Sequence, residues 1–382
     1  MKKELELYIH IPFCVKKCLY CDFLSVPQSK QVIDAYVMAL IREIKVHSEN
    51  LSVVTSIFLG GGTPSILEAT HIQQIFVALR ETFQISTDAE ITIEANPGTI
   101  TQEKLKAYKQ VGINRISFGL QSANNEELKL LGRIHTFEEF LDGYRLAREC
   151  GFDNINVDLI SAIPKQTQES WEETLQKVIA LGPEHISAYS LIVEEGTPFF
   201  AIYGEGGSKE CDFPSEEEER AIYYRTEEIL KEAGYDRYEI SNYAKEGREC
   251  RHNLGYWERK NYLGIGLGSS SLVDNVRYKN TDELNYYMGH ASELSKIQED
   301  EEVLSVKAQM EEFIFLGLRK IKGISIEEFE KIFGDSLEKC YGDSIKRMQE
   351  QKMLVMEDGF LKLTKKGIDI SNYVFAEILY AE

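Results

Sequence analysis

The chain has 382 residues, 43 Lys+Arg against 63 Asp+Glu, a formal charge of −20, and is 43% hydrophobic and 28% charged. Its acidity argues against a general nucleic-acid binder, which must attract phosphates, and no run approaches the roughly 18–20 apolar residues of a membrane span. Its length allows two or three domains at roughly 150 residues each.

The N-terminal MKKELELYIHIPF follows Lys2 and Lys3 with Glu4 and Glu6 and has no long apolar core, so it reads as a strand over Leu5 to Ile11 and not as an export signal. The expected compartment is therefore the reducing cytoplasm, where seven cysteines favour metal binding or catalysis over disulfides. Cys14, Cys18 and Cys21 follow that strand as C-x3-C-x2-C; Cys150, Cys211, Cys250 and Cys340 are scattered. Three thiolates fall short of the four ligands of a structural zinc site, unless His10 joins them. They suit a cubane iron–sulfur cluster with one iron left open.

A helix is expected from about Gln31 to Ser48, a second strand at Ser56 to Gly60, and a helix over His71 to Phe83. ITIEANPG ends a third strand near Glu94, and Thr101 opens the next helix as its cap. RISFGLQS and NINVDLIS are the fourth and fifth strands, a helix covers Gln168 to Leu181, and His185 to Leu191 is the sixth strand. Strands alternating with helices imply right-handed βαβ units and a parallel sheet. Six units predict a partial (β/α)6 barrel in an α/β fold, two short of closure.

The distinctive residues share one end of that barrel. The cysteines follow strand one, Gly60-Gly61-Gly62-Thr63-Pro64 follows strand two, Glu94 ends strand three, Gln121 lies just past strand four, and Asp158 is near the end of strand five. Parallel α/β barrels build their sites from such C-terminal strand ends. Three glycines let a backbone approach a ligand closely, although an isolated triplet is equally a flexible turn. Glu94 and Asp158 suit ribose hydroxyls or an ammonium group, or else a cap or surface charge. Arg133 suits a carboxylate or the surface, and Tyr8 and Tyr20 flank the cysteines or simply pack.

Tyr8 to Cys21, as Y-x-H-I-P-F-C-x3-C-x-Y-C, resembles the signature of radical S-adenosylmethionine enzymes, specifically the oxygen-independent coproporphyrinogen oxidase group. GGGTP at Gly60 to Pro64, EANPG at Glu94 to Gly98, and FGLQS with Arg133 match that group in order, over nearly the whole chain. The resemblance implies a [4Fe–4S] cluster on Cys14, Cys18 and Cys21, with S-adenosylmethionine on the open iron. It implies that Tyr8, Tyr20, Gly61, Gly62, Thr63 and Glu94 hold that molecule. Gln121, Arg133 and Asp158 match residues lining the adjoining pocket, where the oxidases hold a second S-adenosylmethionine. The oxidases also carry a fourth cysteine where this chain has Asp22-Phe23, and a longer N-terminal extension. Both departures are similar to the haem-chaperone branch, the HemW type, as is His252-Asn253-Leu254-Gly255-Tyr256-Trp257, the H-N-x-x-Y-W motif associated there with haem. An imidazole is a common axial donor to haem iron, and Tyr256 and Trp257 offer flat faces; Cys250 is a rival donor, and ordinary packing is the plainer alternative.

Beyond Gly204, Ser215 to Gly234 reads as an acidic helix and YDRYEISNYA as a strand leading to this motif. GIGLGSSS fails the spacing of a dinucleotide fingerprint and reads as a bulged strand and loop. From Ser305, two or three helices precede a hairpin turning at Asp358-Gly359, a winged-helix-like α+β end. Arg319, Lys320, Lys322, Lys365 and Lys366 invite a nucleic-acid reading, but the net charge favours a lid or partner-docking module. The expected units are thus 1–203, the barrel with cluster and S-adenosylmethionine; 204–300, a connecting segment bearing the haem-type motif; and 301–382. The leading expectation is a carrier that binds haem and passes it to acceptor proteins. Oxidative decarboxylation of coproporphyrinogen is the alternative, and a zinc-binding structural module a weaker one.

Overall fold

The computed structural model describes residues 3–49 and 51–379; Lys2 and the outermost residues of the first and last expected units lie outside them. Six strands lie parallel in chain order: β1 (Glu4–Ile11), β2 (Val53–Gly61), β3 (Gln84–Ala95), β4 (Arg115–Gln121), β5 (Ile155–Ser161) and β6 (His185–Ser190). Their crossovers contain α1 (Lys30–Val46), α2 (Ala69–Thr82), α3 (Gln102–Gln110), the pair α4 (Asn125–Leu130) and α5 (Phe137–Glu149), and α6 (Gln168–Ile179). Thr101, Thr136 and Thr167 cap α3, α5 and α6 by accepting a backbone N–H of the first turn.

Alternation along the strands separates two environments. Leu5, Leu7, Ile9 and Ile11 of β1 join Ile57, Leu59, Ile91, Ile93, Ile116, Phe118, Val157 and Leu159 in the core shared with the helices. The residues between them belong to the opposite, inner face. That face carries Glu6, Tyr8 and His10 on β1, Ser56 and Phe58 on β2, Glu90, Thr92 and Glu94 on β3, Arg115 and Ser117 on β4, and Asn156 and Asp158 on β5. A barrel interior lined this way is polar.

The barrel stays open, and the stretch 204–300 extends its sheet at both edges. After α7 (Pro198–Tyr203) and α8 (Glu216–Glu232), β7 (Asp236–Arg237) and β8 (Asn242–Ala244) add antiparallel beyond β6. The expected single strand YDRYEISNYA is split there because Glu239 turns inward, accepting Ser241 N at 2.8 Å and Asn242 Nδ2 at 2.6 Å. After α9 (Arg251–Trp257), β9 (Tyr262–Ile265) pairs parallel with β1, and β10 (Ser270–Val273), β11 (Val276–Asn280) and β12 (Gln298–Val303) continue antiparallel. The helices α10 (Leu284–His290) and α11 (Leu294–Ile297) lie between β11 and β12.

A second core forms from Ile314, Phe329, Tyr341, Met348, Leu361 and Phe375. Its elements run α12 (Val306–Gly317), β13 (Ile324–Ser325), α13 (Ile326–Phe333), α14 (Leu337–Glu350), β14 (Leu354–Glu357) and β15 (Phe360–Leu363), the order of a winged helix, followed by α15 (Lys365–Asp369) and α16 (Ser371–Leu379). Asp358 and Gly359 both have positive φ, 52° and 79°, as a type I′ hairpin turn requires. This unit packs on α9: Arg319 lies 4.5 Å over the Trp257 ring, and Arg259 binds Glu312 at 2.8 Å. Because α9 sits at the N-terminal strand ends, the described residues of the unit lie at the opposite end from the cysteines.

Candidate cluster and cofactor site

The cysteine loop leaves β1 and is pinned by backbone. Cys14 N donates to Val26 O at 3.3 Å, Gly62 N to Ile11 O at 2.8 Å and Thr63 N to Phe13 O at 2.8 Å. A Cβ on Gly62 would stand 2.6 Å from Phe13 O, so this glycine is needed for contact with the loop itself rather than for flexibility. All three thiols are half-buried, and two of them face a donor. Thr63 Oγ1 donates to Cys14 Sγ at 3.4 Å and Arg133 Nη1 to Cys18 Sγ at 3.3 Å, while burial pushes the Cys21 thiol up. His10 is not a fourth ligand in this arrangement. Its Nδ1 is bonded to the Tyr8 hydroxyl at 3.0 Å and its Nε2 to Leu24 O at 3.0 Å. Among the described residues, no three of His, Cys, Asp and Glu are placed to share one metal ion as a zinc site requires; a cubane gives each thiolate its own iron.

Around this loop the strand ends assemble the expected residues. Gly61 N donates to Glu94 Oε2 at 3.0 Å, and enclosure, aided by the Asp158 charge, raises the Glu94 carboxyl to about 8. Asp158 accepts from Ser117 Oγ and Asn156 Nδ2, both at 2.8 Å. Gln121 has φ 75° at a bulge in β4, a left-handed conformation unusual for a side-chain-bearing residue and a mark of functional sites. Tyr20 lies against Arg133, and Tyr8 stacks on Phe58 with ring centroids 6.4 Å apart. Below them a cavity of about 210 Å³ is lined by Tyr8, Phe58, Glu94, Arg115, Asp158 and Tyr256. Arg115, Ser117, Asn156 and Asn96 were not singled out from the sequence. The two-residue period of β4 and β5 carried the signal for the first three.

The His252–Trp257 motif closes the floor of that cavity. Glu90 of β3 accepts Arg251 N at 3.2 Å and His252 N at 3.1 Å, capping α9 from across the barrel. His252 is 1% exposed, stacks on Phe58 at 5.2 Å, and holds Ser56 Oγ at 2.8 Å through Nδ1 and Tyr256 Oη at 3.1 Å through Nε2. Both ring nitrogens are therefore engaged, and burial lowers its pKa to about 3, keeping it neutral. Trp257 faces the C-terminal unit instead, under Arg319, so the three residues expected at haem do not share one surface. Burial raises the Cys250 thiol to about 12, and it donates to Glu90, which leaves no ready thiolate.

Glu6 packs beneath this floor against Gly255, its Oε2 without a hydrogen-bond partner among the described residues, and burial lifts its carboxyl to about 8. A carboxyl whose folded pKa exceeds its unfolded value stabilises the fold most at low pH, and that contribution is lost as pH rises from about 4.5 through about 8. Glu6→Gln is expected to flatten the fall in urea midpoint between pH 6 and pH 9. An unchanged slope would show that Glu6 titrates alike in both states.

The Radical SAM superfamily matches residues 8–178, and the HemN C-terminal domain matches residues 304–370. Heme chaperone HemW of Lactococcus lactis is 39% identical over 379 residues, spanning 99% of this chain and 98% of the relative. The chain belongs to the HemW family. The HemW of Bacillus subtilis is 34% identical over 97% of this chain and 98% of its own. Among solved structures, coproporphyrinogen III oxidase HemN from Escherichia coli, a radical SAM enzyme, superimposes with TM-score 0.86 at 25% identity, covering 99% of this chain and 91% of that one. The chain thus has the radical SAM fold, and in its C-terminal unit the winged-helix order of elements. No helix among its described residues is long and apolar enough to cross a membrane.

Proposed function

We propose that this protein is a cytosolic haem carrier that delivers haem to acceptor proteins and uses a [4Fe–4S] cluster and S-adenosylmethionine as resident cofactors. The observation that carries the reading is near-full-length similarity to heme chaperones, 39% identity over 99% of the chain. Asp22-Phe23 in place of the oxidases' fourth cysteine supports it within the superfamily. Seven free cysteines suit the reducing cytosol.

Cys14, Cys18 and Cys21 are the proposed cluster ligands, and the donors facing Cys14 and Cys18 suit anionic sulfur. When bound, the cluster supplies single-electron chemistry at its open iron. Gly61, Gly62 and Thr63 offer backbone groups, Glu94 a carboxyl, and Tyr8 and Tyr20 ring faces for S-adenosylmethionine. Gln121, Arg133 and Asp158 border the proposed second cofactor pocket. Haem at His252, Tyr256 and Trp257 would require α9 to leave the floor, since one hydrogen bond of His252 must break to free a nitrogen. Haem ligation by His252 and the closed floor are therefore alternative states of the chain.

The test uses the reconstituted full-length protein. Loaded with haem and mixed with an apo-haemoprotein acceptor, it is expected to lose its haem absorbance as the acceptor gains it. Incubated anaerobically with coproporphyrinogen, S-adenosylmethionine and a reductant, it is expected to yield no product. Protoporphyrinogen at many turnovers per chain would replace the carrier reading with the oxidase one.

A further inference from the structure

We propose that Arg133 is a cluster-positioning residue: its guanidinium holds the Cys18 sulfur and raises the reduction potential of the cluster bound there. The inference rests on the reading of Cys18 as a cluster ligand and adds a role for Arg133 that needs no S-adenosylmethionine.

The placement begins in local structure. Helix α4 ends in a Schellman motif, with Gly132 at φ 76°, Gly132 N donating to Lys129 O at 3.0 Å and Arg133 N to Leu128 O at 2.9 Å. That turn touches the cysteine loop directly. Leu19 N donates to Leu131 O at 3.2 Å, and a Cβ on Gly132 would lie 2.8 Å from Leu19 Cγ. The residue following the turn is thus delivered beside Cys18 although 115 positions separate the two.

The guanidinium is then fixed on three sides. Its Nη2 donates to Gly119 O at 2.6 Å and Asn96 Oδ1 at 3.1 Å, joining the ends of β4 and β3, and its Nη1 donates to Cys18 Sγ at 3.3 Å. Its Nε is buried without a hydrogen-bond partner among the described residues. A planar fork held at two acceptors cannot swing away from the third. Cys18 receives a hydrogen bond from a cationic donor, whereas Cys14 receives one from the neutral Thr63 hydroxyl. A positive donor on a thiolate withdraws electron density and stabilises the reduced, more negative cluster, so it raises the potential. The electron gained comes from the external reductant, and no bond to Arg133 forms or breaks.

The test is an EPR-monitored redox titration of reconstituted full-length protein without S-adenosylmethionine, with iron counted in each sample. Arg133→Met is expected to give a more negative midpoint potential at the wild-type iron content of about four per chain. Arg133→Lys, which keeps charge and loses the fork, is expected to fall between. An unchanged potential in an iron-replete Arg133→Met protein overturns the proposal and leaves Arg133 to the second cofactor pocket alone. If the Met variant does not retain iron, the Lys variant decides: a wild-type midpoint potential overturns the proposal and a negative shift supports it. Wild-type protein without iron would instead overturn the cluster reading, which is a separate result.

Discussion

Gly62→Ala is expected to strip the protein of its cluster although all three cysteines remain. The added Cβ meets Phe13 O at 2.6 Å, Phe13 N at 2.9 Å and Ile11 O at 3.0 Å, all backbone atoms of the segment entering the cysteine loop. Backbone cannot rotate aside as a side-chain end can, so the loop itself must move. Overpacking of this kind costs about 1–3 kcal/mol, and here the strain falls on bonds that hold Phe13 and Cys14 in register with Thr63 and Val26. After anaerobic reconstitution, iron is expected to drop from about four per chain to below about one, as in a Cys18→Ala control. Far-UV circular dichroism is expected to stay unchanged. Gly289→Ala, where nothing lies within 4 Å of the added carbon, is expected to keep its iron. Full iron in Gly62→Ala would mean that the loop tolerates displacement and the glycine is not needed for its docking.

His252→Ala is expected to lower the unfolding midpoint by roughly 2–5 °C, from a loss of about 2–4 kcal/mol spread over a large chain. The ring fills a wholly buried site against Phe58, and its removal leaves Ser56 Oγ and Tyr256 Oη to find other partners. The same variant decides the iron ligand. Measured well below its midpoint, a lost haem spectrum assigns His252 to haem in an opened floor, and an unaltered spectrum and affinity remove it. A variant as stable as wild type would contradict the floor-closing role.

The H-N-x-x-Y-W motif shows where reading a sequence stops. Spacing placed a histidine four residues before an aromatic pair, which by itself reads as packing, and only the resemblance associated His252, Tyr256 and Trp257 with haem. On α9, His252 and Tyr256 stand one turn apart and meet each other, while Trp257 is carried round to the C-terminal unit. GGGTP behaved differently. Its glycines were expected to admit a ligand, and Gly62 also admits the cysteine loop. The winged-helix order and its I′ turn were legible because they depend on local periods and on a two-residue turn signal. The position of that unit under the floor was not.

What the sequence by itself determined are the properties written in short spans: the six alternating units, the Thr101 cap, and the three-cysteine loop with its following aspartate and phenylalanine. Each follows from backbone period or capping chemistry within a few residues. Only the tertiary structure decided which side chains complete one another. Glu90 caps a helix more than 160 positions away, Arg133 reaches Cys18 across 115, and Ser56 meets His252 across 196. Those pairings are set by where the sheet brings strand ends together, a geometry that no local period encodes.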